Sequence, residues 1–222
     1  ARVDEDNMDF MKVLITGPMA YDYGRTSTPY AGGCFAFDVY FPSNYPQGPP
    51  NINLMTTGQG RIRFNPNLYN CGKVCLSLLG TWSGAEGENW NPKTSTLLQV
   101  LVSIQSLIMV PQPFFNEPGY EREMNTPSGD KKSRDYNEVI RAGTVEHAII
   151  GQLRSPAAGF EEVIRKHFYL QQNRIVEQCN RWLAEAQSTG SKSHYANLLR
   201  LVTEMKAEFA KLSFPFPKLP VN

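Results

Sequence analysis

The segment from residue 61 to residue 79 constrains this chain most, because a loop rich in turn residues runs into an apolar stretch that contains a cysteine. Asn65-Pro66-Asn67 and Cys71-Gly72 are turn sequences, since proline fixes φ, glycine permits positive φ and asparagine bonds its own backbone. Cys75 follows at the start of the apolar stretch. We therefore predict that this thiol lies near a loop, and loops held by a rigid scaffold commonly carry reactive groups.

Several roles compete for Cys75 at this point. Cysteine packs as a small hydrophobe, so core packing is one interpretation. Cys71 and Cys75 could form half of a zinc site, but zinc takes about four ligands, and neither a second cysteine pair nor a nearby histidine follows. A cysteine hydrolase needs an imidazole base, and the only histidines are His147, His167 and His194, far along the chain. Acyl exchange with a thioester needs only a thiolate, a stabilised oxyanion and an oriented partner.

The composition indicates a globular protein and argues against nucleic-acid and membrane partners. The 222 residues, 41% of them hydrophobic, can form one large core or one domain of ~150 residues with a helical annex. A net charge of +1 argues against nucleic acid, and four cysteines do not suggest a disulfide framework. The longest apolar run is shorter than the ~20 residues of a membrane helix, and no signal peptide is visible. We expect no nucleic-acid or membrane partner, no metal, and a cytosolic or nuclear location.

Periodicity predicts strands first and helices later. Alternating apolar residues predict a strand over residues 34–41, and further strands are predicted over residues 10–16 and 51–56. Apolar residues at steps of three and four over residues 97–110 predict an almost wholly apolar helix, buried across the sheet. Three further helices are predicted over residues 133–153, over 160–183 with a break, and over 194–212.

Trp82 stands out in the glycine-rich stretch of residues 80–87. An indole on such a loop either packs into its own domain or contacts a bound partner, and we favour packing because one large apolar side chain usually finds cover. Cys34, Cys179 and the histidines are interpreted as packing or surface residues.

Several ordered blocks around Cys75 resemble ubiquitin-conjugating enzymes. The family pattern is His-Pro-Asn followed by a thioester-forming cysteine, and here Phe64-Asn65-Pro66-Asn67 precedes Cys75 at the same spacing, with Asn65 at the histidine position that the family uses for loop structure. Matching blocks on both sides are Gly17-Pro18, Pro29-Tyr30-Ala31-Gly32-Gly33, Phe35-Ala36-Phe37-Asp38-Val39, Tyr45-Pro46, Pro49-Pro50 and Trp90-Asn91-Pro92. Ordered blocks over about 80 residues make a specific signal where one motif would be weak.

The resemblance implies a fold and a division of the chain. The fold is the α/β (α+β) UBC fold, a four-stranded antiparallel meander backed by helices, with Cys75 in a shallow groove. The UBC core would cover residues 1–153, and residues 154–222 would form a helical C-terminal extension packed on or next to it. The insertions and the helical end resemble the very large hybrid conjugating enzyme/ligases of the BRUCE (Apollon) type. An insertion over residues 19–28 is interpreted as a surface loop. The block of residues 23–30, which overlaps it, is similar to a smaller relative that uses a non-standard activating enzyme.

The resemblance also implies roles for residues. Cys75 would take the C-terminus of ubiquitin or a ubiquitin-like modifier from the activating enzyme, and pass it to a lysine of a protein substrate. Asn67 would donate to the oxyanion or hold the loop, and Asn116 or Glu117 would orient or deprotonate the lysine. No cofactor is implied, because ATP is used by the separate activating enzyme.

A surface for a ligase domain, in cis or in trans, is implied at Leu54, Pro92 and Lys93. Leu54 fits equally well as a core residue on a strand. Two alternatives to an active conjugating enzyme stay open: an inactive scaffold of the same fold that binds ubiquitin or a ligase, and a cysteine hydrolase.

Overall fold

A computed structural model describes residues 1–3, 5–19, 27–84 and 87–213. In these ranges four strands form one antiparallel sheet whose order follows the chain, so the predicted four-stranded meander is confirmed. The strands are β1 (Arg2–Val3), β2 (Phe10–Thr16), β3 (Cys34–Tyr40) and β4 (Asn51–Leu54). The strand that periodicity did not identify is the short β1, which pairs with β2.

The strand β4 ends earlier than the predicted residue 56. Its ladder with β3 runs from Asn51 opposite Tyr40 to Leu54 opposite Phe37. Beyond it, the hydroxyl oxygen of Thr56 accepts the backbone N–H of Ala36 at 3.0 Å. A side chain thus takes the bond that the next ladder residue would make, so the strand stops and the chain turns.

The helix that crosses the sheet is α1 (Leu97–Ser103), which continues through wider π-type turns over Ile104–Ile108. Thr96 caps it, because its hydroxyl accepts the N–H of Gln99 while the Gln99 side chain accepts the N–H of Thr96. The prediction of an almost wholly buried helix is wrong. Val100, Ile104 and Ile108 are buried, but Leu98, Val102 and Leu107 are 52–69% exposed. A helix on one face of a sheet buries a single stripe, and no described segment covers its outer side.

The later helices differ from the predictions at their ends. They are α2 (Pro127–Gly143), π-type turns over Thr144–Ile150, α3 (Gly151–Arg154), α4 (Glu161–Thr189) and α5 (Lys192–Phe209). The helices α2 and α5 begin earlier than predicted, α4 ends later, and α5 ends sooner. The start of α2 precedes residue 133 because the Thr126 hydroxyl accepts the Gly129 N–H at 3.0 Å and Pro127 suits the first turn. The predicted break in α4 is absent from its described residues.

Two apolar clusters fill the interior. The first joins the sheet, α1 and the segment before and after Cys75. The second joins Ala31 and Cys34 to the turns over Thr144–Ile150 and to α4 and α5. Gly32 lets α4 approach, because its φ is +76° and a Cβ there would lie 2.6 Å from Cγ1 of Ile175. The C-terminal helices therefore pack on the start of β3.

Most of the insertion over residues 19–28 lies outside the described residues, and so do residues 23–26 of the block at 23–30. The same holds for residues 85–86 of the glycine-rich stretch. Among the described helices, none is both long and apolar enough to cross a lipid bilayer.

Candidate active site

A hairpin-like loop places Cys75 directly opposite Asn67. The Cys75 N–H donates to the Asn67 carbonyl oxygen at 2.9 Å, and the Tyr69 N–H donates to the Lys73 carbonyl oxygen at 3.0 Å. The turn at the far end needs Gly72, whose φ is +92°. The Gly72 carbonyl oxygen accepts the Leu54 N–H at 2.8 Å, which ties this loop to the end of β4.

The Asn67 side chain closes the same pair from the other side. Its Nδ2 donates to the backbone carbonyl oxygen of Cys75 at 2.9 Å. In this structure Asn67 therefore holds the loop, which is the second of the two roles expected for it.

The Cys75 residue is more covered than a position in a shallow groove would suggest. Only 2% of its surface is exposed. Yet among the described residues it belongs to neither apolar cluster, whereas Cys34 and Cys179 both lie in the second one. Burial raises the pKa of each of those two thiols to about 12, so they stay protonated near neutral pH. Among the described residues, Cys75 is therefore about as buried as Cys34 and Cys179 but is packed in a different place.

Thr81 holds the backbone on both sides of Cys75. Its hydroxyl donates to the Val74 carbonyl oxygen at 2.8 Å and accepts the Leu76 N–H at 3.0 Å. Gly80, in a left-handed conformation, brings the chain back after a short turn over Ser77–Leu79. Sequence reasoning missed Thr81, although a hydroxyl beside a left-handed glycine is a recognisable loop signal.

Asn65 is the buried centre of the loop that precedes Cys75. It is fully buried, and its Nδ2 donates to the Ile108 carbonyl oxygen at 2.8 Å and to the Tyr30 hydroxyl at 3.2 Å. Its Oδ1 accepts the Asn67 N–H at 2.8 Å. Asn65 thus links Asn67 to the end of the crossing helix, the loop-structure role that its position implied.

The two candidates for orienting the lysine face different ways. Asn116 donates to the Leu107 carbonyl oxygen at 3.0 Å and makes a long contact of 3.5 Å with Oδ1 of Asn65. Its amide nitrogen is therefore already engaged by oxygen atoms of the chain. Glu117 is 39% exposed, and its carboxylate lies 3.4 Å from the guanidinium of Arg63.

Arg63 joins three parts of the site, a role that the sequence did not reveal. Its guanidinium donates to the Pro66 carbonyl oxygen at 2.6 Å and lies 4.2 Å from the ring centroid of Tyr69. Together with the Glu117 contact, these interactions connect the loop before Cys75, the hairpin that carries it and the loop of Glu117. The planar fork of arginine suits such simultaneous contacts.

The sequence profile of the family described as "Ubiquitin-conjugating enzyme" matches residues 1–144 of the chain. This chain belongs to the ubiquitin-conjugating enzyme family. The predicted family and the UBC fold are thereby confirmed.

Named relatives agree with the predicted hybrid branch. The human "Dual E2 ubiquitin-conjugating enzyme/E3 ubiquitin-protein ligase BIRC6" is 53% identical over 222 residues, which cover 96% of this chain and 4% of the relative. A Caenorhabditis elegans "Probable ubiquitin-conjugating enzyme protein 17" is 52% identical over 81% of this chain and 24% of its own length. An Arabidopsis thaliana "Putative ubiquitin-conjugating enzyme E2 38" is 39% identical over all of this chain and 71% of its own length. The chain therefore spans about 4% of the human relative.

The ligase-facing residues that the family resemblance implied are only partly on the surface. Pro92 and Lys93 are exposed. Leu54 is 1% exposed in the first cluster, so the structure supports the alternative of a core residue rather than a surface contact. The next residue, Met55, is 51% exposed. Strand alternation from Ile52 would have pointed Leu54 inward and Met55 outward.

A cysteine hydrolase would need a histidine beside Cys75, and the three histidines of this chain have other neighbours. Nε2 of His167 lies 2.9 Å from the Gly32 carbonyl oxygen, and His147 packs on Gly58. His194 lies in the field of Glu138. Burial lowers the pKa of all three imidazoles. No contact that we find in the described residues joins an imidazole to Cys75.

The zinc alternative has little geometric support. Cys71 is exposed and Cys75 is buried, so the two side chains differ in environment. Among the described residues, no group of three or more His, Cys, Asp or Glu side chains is placed to hold a metal ion.

Proposed function

We propose that this chain accepts ubiquitin from the activating enzyme as a thioester on Cys75 and transfers it to a substrate lysine. The observation that carries the proposal is the closed pair of Asn67 and Cys75, held by Asn65 and Thr81 inside the fold of the family. A thiol on a loop fixed from both sides is suited to a transfer that depends on orientation.

The transfer consists of two acyl exchanges that balance without any further reactant. In the first, the Cys75 sulfur bonds to the carbonyl carbon of the modifier, the bond to the activating enzyme's sulfur breaks, and the Cys75 thiol proton passes through solvent to the departing thiolate. In the second, a lysine amine bonds to that carbon, the bond to the Cys75 sulfur breaks, and the amine proton passes to solvent. Asn67 would stabilise the oxyanion of the second step, and one such donor is worth roughly 3 kcal/mol in the transition state.

Glu117 is the better candidate for receiving the lysine, because the Asn116 amide already donates to the Leu107 carbonyl oxygen. A carboxylate near the thioester either accepts the ammonium proton or attracts the cation. Desolvation of the incoming amine lowers its pKa and helps the same step. This scheme requires no cofactor of its own, since the activating enzyme uses the ATP.

The wider setting is proposed from the family and from the exposed residues. The ligase domain, in cis as in the human relative's name or in trans, would contact Met55, Pro92 and Lys93. Residues 1–153 would be the conjugating core and residues 154–222 its helical extension. We propose a cytosolic or nuclear location, ubiquitin or a ubiquitin-like modifier as the cargo, and proteins as substrates.

The test is a charging assay with ubiquitin, activating enzyme and ATP. We expect an adduct that thiol reductant removes, present with Cys71→Ala and missing with Cys75→Ala. Cys71 is a matched control because it is an exposed thiol on the same hairpin. An intact chain that forms no reductant-sensitive adduct would favour the inactive scaffold instead.

A further inference from the structure

Trp82 packs into the domain less completely than the interpretation favoured from sequence expects. It is partly exposed and belongs neither to the two apolar clusters of the described residues nor to the side chains packed against them. Trp90 shows the contrast, since it packs against the first cluster and its Nε1 donates to the Pro46 carbonyl oxygen at 2.8 Å. An indole left partly exposed beside a reactive loop is available to a ligand.

The position of Trp82 relative to Cys75 is fixed by its neighbour. Thr81 bonds the backbone immediately before and after Cys75, and the Thr81 N–H makes a further contact of 3.4 Å with the Leu76 carbonyl oxygen. Trp82 follows Thr81 in the chain, so the backbone that carries the indole is held next to the loop of Cys75.

An open groove of about 660 Å³ lies along this loop, and we call it the Trp82 groove. Its lining consists of Gly80, Thr81, Trp82, Ser83 and Pro118. Pro118 follows Glu117, so the groove runs from the loop after Cys75 to the loop of the surface carboxylate. None of these lining side chains is charged.

We propose that the Trp82 groove binds the acceptor, with the methylene stem and ammonium of the substrate lysine against the indole face; this rests on the proposed function. Tryptophan has the best aromatic face for a cation, and a long lysine stem covers apolar surface while its charge stays solvated. An uncharged lining favours such a side chain at little desolvation cost, and Glu117, which precedes the lining residue Pro118 in the chain, adds a carboxylate that attracts a cation. The volume also accommodates residues that flank the lysine.

The experiment uses a preformed thioester on Cys75, freed of activating enzyme, and follows one round of discharge. The acceptors are a lysine-containing peptide over a range of concentrations and hydroxylamine, a small nucleophile that needs no groove. The chains are wild type, Trp82→Ala, Trp82→Phe and Tyr40→Ala. Tyr40 is a matched control, because it is an aromatic residue 46% exposed on the sheet.

We expect Trp82→Ala to raise the peptide concentration for half-maximal discharge about tenfold. Its maximal rate, its hydroxylamine rate and its charging should match wild type, Trp82→Phe should be intermediate, and Tyr40→Ala should behave as wild type. Unchanged peptide dependence would overturn the proposal. An equal loss with hydroxylamine would assign Trp82 a structural role, and slower charging would assign it to the modifier's tail; either result also overturns the proposal. Failure of the wild type to charge would reject the proposed function itself.

Discussion

The Nδ2 atom of Asn67 donates to the Cys75 carbonyl oxygen at 2.9 Å, while the Cys75 N–H donates to the Asn67 carbonyl oxygen at the same distance. A side-chain amide carries two N–H groups, and the Cys75 carbonyl uses one of them. The second remains for the oxyanion that forms on the carbonyl oxygen of the acyl group bonded to the Cys75 sulfur. Holding the loop and stabilising the oxyanion are thus compatible roles for one side chain.

Replacing Asn67 with Ala should separate charging from discharge. We expect the thioester to form at a near-normal rate but to discharge to lysine about 100-fold more slowly, because an oxyanion donor is lost. Single-turnover discharge measures this directly. Asn70→Ala is the control, since that side chain donates to the Gly60 carbonyl oxygen at the far end of the hairpin. Equal damage to charging and discharge would leave only the structural role.

Replacing Cys75 with Ser should leave the fold intact and change the adduct. Serine is close in size, and the residue lies outside both apolar clusters of the described chain, so the melting temperature should shift little. The modifier should then be held as an oxygen ester that resists thiol reductant and is released by alkali. An adduct that still disappears with reductant would place the acyl group on another cysteine.

Replacing Asn65 with Ala should destabilise the fold by about 2 kcal/mol. The change leaves the Ile108 carbonyl oxygen and the Asn67 N–H without their buried partner. Urea unfolding followed by tryptophan fluorescence gives the free energy of unfolding, with the exposed Asn70→Ala again as control. A loss as small as that of the control would mean that the network contributes little.

Replacing Arg63 with Gln should affect discharge more than stability. Arg63 and Glu117 are 40% and 39% exposed, and such pairs contribute at most ~1 kcal/mol to folding. We expect Arg63→Gln and Glu117→Gln each to slow discharge to lysine several-fold, with no further loss in the double variant. Arg61→Gln is the control, because Arg61 bonds the Gly58 carbonyl oxygen instead. Additive losses would show that the two side chains act independently.

Acid should weaken the packing of the C-terminal helices. Burial lowers the pKa of His167 below its ordinary value of about 6.5, although the Gly32 carbonyl partly opposes the shift. Above that value the imidazole is neutral in the folded and unfolded chains, and its contribution to stability is complete. Below it the unfolded chain binds a proton that the folded chain resists, so the free energy of unfolding falls with pH.

The measurement compares urea unfolding at pH 7.5 and pH 5.5 for wild type and His167→Gln. Glutamine keeps a donor for the Gly32 carbonyl oxygen but does not titrate, so its loss of stability in acid should be smaller. His147 and His194 also have lowered pKa values and should account for what remains. The same acid loss in both chains would exclude His167 as a cause.

The sheet and the reactive segment could be predicted because their signals are local. The strand predicted over Phe10–Thr16 is β2 at its observed bounds, and turn residues around Cys75 place it on a loop. The start of α2 was missed although Thr126 and Pro127 form a recognisable cap. Periodicity also overstated the burial of the crossing helix, since an apolar face does not reveal whether another layer covers it.

The contacts that build the site could not be predicted, because they join distant parts of the chain. Asn65 bonds Tyr30 and Ile108, which lie 35 and 43 residues away, and Arg63 meets Glu117 across 54 residues. A single sequence carries no signal for such pairs. The Trp82 groove likewise needs Pro118, which lines it from another loop.

The second apolar cluster bears on how this catalytic unit can be divided. Val145 and Ile149 directly follow the segment that matches the family. They share this cluster with Trp182 and Phe209 of the last two helices. A polypeptide that ended at residue 153 would expose Val145 and Ile149 to water as part of an apolar surface. The segment that contains Cys75 would therefore tend to aggregate if it were transferred to another enzyme alone. It should be transferred together with the C-terminal helices.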